Sequence, residues 1–206
     1  MLKVNKILEN VFEVANVFND EDLSQILEKF ENCTDWVKLD QNKTTHYSHV
    51  FRNDSKFLPD ENEAYLAKFW RSERLTNDKF ILNKTEQALA KVFKQIFNLD
   101  IIEIDLRCHK FTKGDHFRVH MDGYAGGYAT TISLNKDWKW DWGGILNILY
   151  GSNLEKNLPL LPSWNTMNIL NNDVQLSPHF LVPIQPYAQK ARYTITCFVK
   201  EKKIKK

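Results

Sequence analysis

The stretch FTKGDHFRVHMDG, residues 111–123, decides how the rest of the chain is read. Lys113, Gly114 and Asp115 form one turn signal, Gly123 forms another, and the residues between them read as an extended strand. Side chains on a strand alternate between faces, so His120 and Asp122, two positions apart, point the same way. An imidazole and a carboxylate presented together from one strand suit a metal ion. Alone the pair decides little, because the chain has six histidines and a half-buried polar pair beside a turn needs no metal.

Outward from this stretch, from Leu99 on, runs rich in Ile, Thr, Tyr and Phe are broken by turn signals at residues 123–127 and 135–144 and by several Pro and Asn turns. This is a β half. Two helical patterns precede it. Asn19 can cap a helix whose first turn carries Asp20, Glu21 and Asp22 at the positive end of its dipole, with Leu23, Ile26, Leu27 and Phe30 at helical spacing. Asn83 with Glu86 makes a capping box, after which Leu89, Val92, Phe93, Ile96 and Phe97 form one apolar face that a sheet or helix must cover. Residues 6–17 place Ile7, Val11, Val14 and Val17 among polar residues and read as a strand, whereas residues 32–81 show no pattern that orders them.

Helices first and short strands afterwards predict an α+β domain in which helices buttress a β-sandwich or barrel; a doubly wound fold would alternate the two. The expected organisation is one domain over residues 1–206, with a helix-rich supporting region at 1–98, a β-barrel core at 99–199 and a basic tail at 200–206. Apolar and charged fractions of 43% and 26% are those of an ordinary globular protein, and seven glycines and six prolines leave no room for a long linker. The formal charge of +2 comes partly from the tail, so charge names no partner. Cys33, Cys108 and Cys197 are odd in number and form no CxxC pair, which argues against a disulfide framework or a thiolate zinc site and fits a reducing cytoplasm. Residues 1–18 mix charged with apolar residues, so neither export nor membrane insertion is expected.

A third candidate ligand, His179, lies in Ser177-Pro178-His179-Phe180, and Arg192 follows thirteen residues later. Two histidines and one carboxylate on one face of a metal leave three positions open, as in non-haem Fe(II) oxygenases that bind co-substrate and O2 together. The blocks around these residues carry a family resemblance. Phe111-x-x-Gly114-x-x-Phe117-x-x-His120-x-Asp122, then Leu134-Asn135-Lys136-Asp137-Trp138 with Gly143-Gly144-Ile145-Leu146, then Pro178-His179, then Arg192-Tyr193-Thr194-Ile195-Thr196 follow one another in this order. Together they resemble the prolyl 4-hydroxylase branch of the 2-oxoglutarate/Fe(II) dioxygenases, in particular the hypoxia-inducible-factor prolyl hydroxylase type. The resemblance covers a little under half the chain.

The resemblance implies a double-stranded β-helix (jelly-roll) core with supporting helices from the N-terminal half. It implies a dioxygenase that takes Fe(II), 2-oxoglutarate and O2, with ascorbate as a reductant it could use. His120, Asp122 and His179 would be the iron ligands, and Arg192 would hold the far carboxylate of 2-oxoglutarate, a role suited to a permanently charged planar guanidinium. Thr194, Thr196 and Phe198 share the face of Arg192 if its strand is regular. Two positions depart from the pattern. Many relatives have a tyrosine where this chain has Phe111, and the prolyl hydroxylases have another where it has Ser133; both serve the co-substrate. Ser133, aided by Thr131 or Thr196, is expected to supply a shorter hydroxyl.

Asp122 implies hydroxylation, since halogenating relatives lack this carboxylate. Phe198, standing where nucleic-acid demethylases usually carry a second arginine, implies that nucleic acid is not the substrate. The expected substrate is a prolyl or related residue in a protein or peptide, with a free amino acid or other small metabolite as the alternative and a non-catalytic metal-binding β-barrel recognition module as a different class. Trp138, Trp140 and Trp142 recur at period two. Trp138 belongs to the family pattern and is expected to pack, while Trp140 and Trp142, with Tyr124 in the loop after the metal strand, are the residues expected beside substrate. His46, His49, His109 and His116 have no partner identifiable from spacing and read as structural.

Overall fold

A computed structural model describes residues 2–41, 67–100, 102–120, 122, 127–175 and 177–201. The chain opens on a hairpin, β1 (Lys3–Leu8) and β2 (Val11–Ala15). The single strand expected over residues 6–17 is therefore corrected to a pair, with Leu8 opposite Val11. The turn at Glu9 and Asn10 carries no Gly or Pro to mark it in sequence. Its order comes from afar: the Asn10 amide donates to the Gln175 carbonyl and to Ser177 Oγ.

Helix α1 (Asp20–Glu31) starts as expected, with the Asn19 side chain accepting from the Asp22 backbone N–H. The second long helix, α3 (Lys79–Phe97), starts earlier than its capping box suggested. Asp78 caps it by accepting from the Phe80 and Ile81 N–H groups, directly after the short α2 (Glu73–Thr76). Burying Ile81 completely extends the apolar face backwards, and Asn83 instead accepts from Gln87 within the helix.

The remaining strands are β3 (Val37–Gln41), β4 (Ala67–Arg71), β5 (Ile102–Phe111), β6 (His116–His120), β7 (Tyr128–Ser133), β8 (Leu146–Tyr150), β9 (Lys156–Leu160), β10 (Thr166–Asn171), β11 (His179–Leu181) and β12 (Arg192–Glu201). They join in the order β1-β2-β10-β7-β12-β5-β4-β6-β11-β8-β9, with β3 on β4, all antiparallel. Strand β4 pairs with both β5 and β6, so it ties the two halves of a curled sheet and makes the jelly-roll. The N-terminal half thus supplies strands as well as helices: β2 extends the sheet beside β10, and β4 joins its halves.

Two apolar layers follow from strand alternation. Ile132, Met167, Ile169, Ile195 and Cys197 pack outward against Leu23, Ile26, Phe30, Leu89 and Phe93 of α1 and α3. The opposite face turns into the curl, where Phe69, Phe111, Ala129, Leu146, Ile148 and Leu181 form the second layer. Gly143, in the turn before β8, has φ +70°, and a Cβ there would land on the Pro183 carbonyl oxygen. Gly143→Ala is expected to cost about 3 kcal/mol, from backbone strain and overlap together, read as a shift in the denaturant midpoint at unchanged slope.

Candidate metal centre and its cavity

Strands β6 and β11 pair so that His179 lies directly opposite His120, and their ring centroids are 4.3 Å apart. Asp122 follows β6 by two residues and reaches both rings. Its carboxylate oxygens lie 3.2 Å from His179 Nε2 and 3.8 Å from His120 Nε2. One ligand atom from each of the three residues falls within 4.8 Å of the others. The Nδ1 atoms are engaged behind: His120 Nδ1 is 2.7 Å from the Arg118 carbonyl and His179 Nδ1 2.8 Å from that of Ser177. A carbonyl can only accept, so each Nδ1 carries a proton, which leaves Nε2 as the atom that donates to the carboxylate when the ring is charged and is free to bind a metal when the ring is neutral. Burial disfavours charge on His179, but the Asp122 carboxylate outweighs it and raises the imidazole above its ordinary value. Two imidazole nitrogens and a carboxylate converging on one point fit a divalent first-row metal.

The opposite wall comes from β12 and its neighbours, whose directly paired residues share a face. Arg192 pairs with Phe111; Thr194 lies between His109 and Ser133; Thr196 lies between Arg107 and Thr131. Arg71 on β4 continues the row beyond His109. Arg192 is 3% exposed, with its guanidinium carbon 5.1 Å from the centre of the Phe111 ring. Burial pushes its pKa down to about 9. Phe111 therefore supplies an aromatic face to the cation.

Among the described residues, seven buried side-chain polar atoms have no hydrogen-bond partner. Six belong to this wall: Arg192 Nε, Thr194 Oγ1, Ser133 Oγ, His109 Nε2, Arg71 Nε, and Asn168 Oδ1 on the residue paired with Thr131. A buried polar group left without a partner costs about 1–3 kcal/mol, so their concentration on one face is the mark of a ligand surface. This wall fits a small dianion at Arg192, with Thr194 and Ser133 hydroxyls beside it.

The structure brings His120, Asp122, His179, Arg192, Thr131 and Thr196 to one cavity, with Ser133 buried across Thr194. It does not bring the tryptophans there. Trp140 and Trp142 sit in a 3-10 turn (Trp140–Trp142), so the period-two spacing does not put them on one strand face. Trp142 is buried edge-to-face on Trp138, whose indole N–H donates to the Gly143 carbonyl, and Trp140 faces outward at 60% exposure. Neither is among the residues that line the cavity. Tyr124 lies outside the described residues.

Sequence reasoning passed over His109, Arg107 and Arg71, all of which line this cavity. Counting back by twos from Phe111 along β5 would have put His109 and Arg107 on its face; Arg71 carried no such signal. His109 is 6% exposed, with Nδ1 3.3 Å from Thr196 Oγ1 and its ring edge-to-face on Phe69. Burial first, then the positive charges of Arg71, Arg107 and Arg192, push its pKa from 6.5 down to about 3, against a smaller opposing pull from Asp122. The unfolded chain takes up this proton near pH 6.5 and the folded chain only near pH 3, so the stability is full above pH 6.5 and drains as pH falls between these values. His109→Gln is expected to flatten that decline by about 1 kcal/mol per pH unit. Denaturant unfolding at pH 7, 6, 5 and 4 checks it, and parallel declines in both proteins would refute it.

Residues 106–200 match a family model described as the 2OG-Fe(II) oxygenase superfamily. No curated protein matches the sequence. Among solved structures, the chain is similar to a prolyl hydroxylase from Trichoplax adhaerens in complex with a hypoxia inducible factor oxygen degradation domain peptide fragment. The identity is 16% and the TM-score 0.61, over 93% of this chain and 84% of that one. It is also similar to SnoN, a non-heme alpha ketoglutarate dependent epimerase from nogalamycin biosynthesis, at 9% identity and TM-score 0.57, over 93% of this chain and 78% of that one. At such identities the likeness shows a shared jelly-roll fold.

Proposed function

We propose that this chain, whose residues 106–200 match the model of the 2OG-Fe(II) oxygenase superfamily, is an oxygenase using Fe(II), 2-oxoglutarate and O2, and that it hydroxylates a prolyl or related residue of a protein or peptide. The observation that carries the reading is the pairing of two features in one cavity: the converging His120, Asp122 and His179 donors, and the buried Arg192 guanidinium facing the same space. The fold shared with a peptide-bound prolyl hydroxylase supports the substrate class.

In this reading His120, Asp122 and His179 hold Fe(II), and Arg192 grips the far carboxylate of 2-oxoglutarate. Thr194 and Ser133 supply hydroxyls beside it, in place of the longer tyrosine donors. The iron, 2-oxoglutarate and O2 supply the oxidising chemistry when bound. The chain contributes orientation and dryness. Carbonyls of Arg118 and Ser177 fix the two imidazoles through Nδ1, so the ligand nitrogens do not rotate away. Phe69, Phe111, Phe117, Leu146 and Leu181 line the space between the ligands and Arg192 and keep water out of it. As a ligand carboxylate, Asp122 would favour hydroxylation over halogenation.

The test is incubation of the iron-loaded chain with 2-oxoglutarate and prolyl peptides, following succinate and a mass gain of one oxygen in the peptide. Succinate that depends on iron and disappears in His120→Ala supports the oxygenase, and oxygen on a prolyl ring supports the substrate. Equal background turnover in both proteins across all peptides would overturn the proposal.

A further inference from the structure

The cavity holds more positive charge than the proposed iron and co-substrate use. Besides Arg192, it is lined by Arg71 and Arg107, and among the described residues that line it Asp122 alone carries a carboxylate. In the reading above, divalent iron and Arg192 bring three positive charges, while Asp122 and 2-oxoglutarate bring three negative ones. The loaded centre is neutral without Arg71 and Arg107, whose carboxylate partners Glu73 and Asp105 are exposed and lie outside the cavity lining.

Their placement is deliberate in the fold. Arg71 stands opposite His109 across β4 and β5, and Arg107 is two residues before His109 on the same face, opposite Thr196. The Arg107 guanidinium rests on the Phe198 ring at 4.9 Å, which holds it toward the cavity. Arg107 Nη2 has Asp105 at 2.7 Å, an exposed pair, whereas Arg71 reaches only Glu73, at 3.9 Å. Burial first, then the neighbouring Arg107, disfavour the charge on Arg71, against smaller opposing pulls from Glu73 and Asp105. Arg71 Nε and His109 Nε2 are buried without partners. Each cation has a carboxylate at its outer edge, but Arg71 Nε and His109 Nε2 are left over, and an anion entering the cavity would satisfy both and be drawn by both cations.

We propose that the substrate carries a carboxylate, and that Arg71 and Arg107 bind it while His109 donates to it from Nε2. A carboxylate matches the planar guanidinium fork, and His109, neutral at ordinary pH, donates there once Thr196 Oγ1 gives its hydrogen to Nδ1. The proposal deepens the function proposed above and rests on it for the word substrate, but the anion preference itself needs no turnover.

The experiment measures binding of four probes to the full chain with zinc in place of iron and 2-oxoglutarate present, by ligand-observed NMR. N-acetylproline against N-acetylprolinamide tests a carboxylate on the reacting unit, as in a small metabolite. The peptide amides acetyl-Pro-Glu and acetyl-Pro-Gln test an acidic neighbour, as in a peptide. The acid of at least one pair is expected to bind about tenfold tighter than its neutral partner, as one charge-assisted contact allows. The favoured pair identifies the source, and Arg71→Gln and Arg107→Gln are each expected to erase the difference. Equal binding of acid and neutral probes, absence of binding by every probe, or a preference that survives both variants overturns the proposal. So does loss of 2-oxoglutarate binding in Arg71→Gln without loss in Arg192→Met, because the spare arginines would then be the co-substrate site. Failure of 2-oxoglutarate to bind at all, with the acid preference intact, would instead sink the oxygenase reading and leave the anion site standing.

Discussion

Asp122→Ala is expected to abolish iron-dependent succinate release and to lower metal affinity by well over a hundredfold. Three donors define the centre, and this one carries its only negative charge. Removing an outer partner of a metal ligand already costs roughly 10- to 100-fold, and removing a ligand takes away both a bond and the charge that balances the cation. The substitution should leave the fold intact, since the residue lies just past β6 and β6 is held by its pairing with β11 and β4. Calorimetric titration of the apo chain with Fe(II) under anaerobic conditions, or with Mn(II) in air, reads the affinity. His179→Ala is the companion, because its imidazole is the one nearest the carboxylate, at 3.2 Å. Unchanged metal affinity in both would mean that the metal is held elsewhere.

Arg192→Met should move stability and co-substrate binding in opposite directions. The guanidinium is almost fully buried, its Nε has no partner, and burial alone lowers its pKa to about 9. A buried cation of this kind is held at a net cost that the Phe111 ring offsets only in part. Methionine fills comparable space without charge, so the variant is expected to be more stable by about 1–3 kcal/mol in denaturant unfolding. The same change removes the bidentate partner of a carboxylate, with an expected loss of about a hundredfold or more in 2-oxoglutarate affinity. A residue kept for folding would show the reverse on the first measurement and no change on the second. A destabilised variant that still binds 2-oxoglutarate normally would remove Arg192 from the site.

The apolar periods behind α1 and α3 were legible in sequence because a 3.6-residue repeat is local, and both helices lie where that repeat placed them, although α3 is capped by Asp78 rather than Asn83. The hairpin of β1 and β2 was not legible, because its turn is tied down by residues more than 160 positions away. The spacing of Trp140 and Trp142 shows a related limit: spacing by two means one face only on a strand, and here the backbone makes a 3-10 turn. The grouping of Arg192 with Thr131, Ser133 and Thr196 followed from alternation along single strands and from the family pattern, and the pairing of β12 with β7 sets them side by side.

By itself the sequence determined the local terms: where the two long helices and the β half lie, that His120 and Asp122 share a face, and that His179 and Arg192 follow in the order of a known family pattern. Tertiary structure decided what those terms meet. Only the antiparallel register sets His179 opposite His120, and only the curl through β4 sets Arg192 across from both. It also decided that His109, Arg107 and Arg71 belong to the cavity, since their neighbourhood is a row across strands from distant parts of the chain. The reason is that charge and unsatisfied hydrogen bonds act through space, over a few ångströms, whereas sequence records only position along the chain.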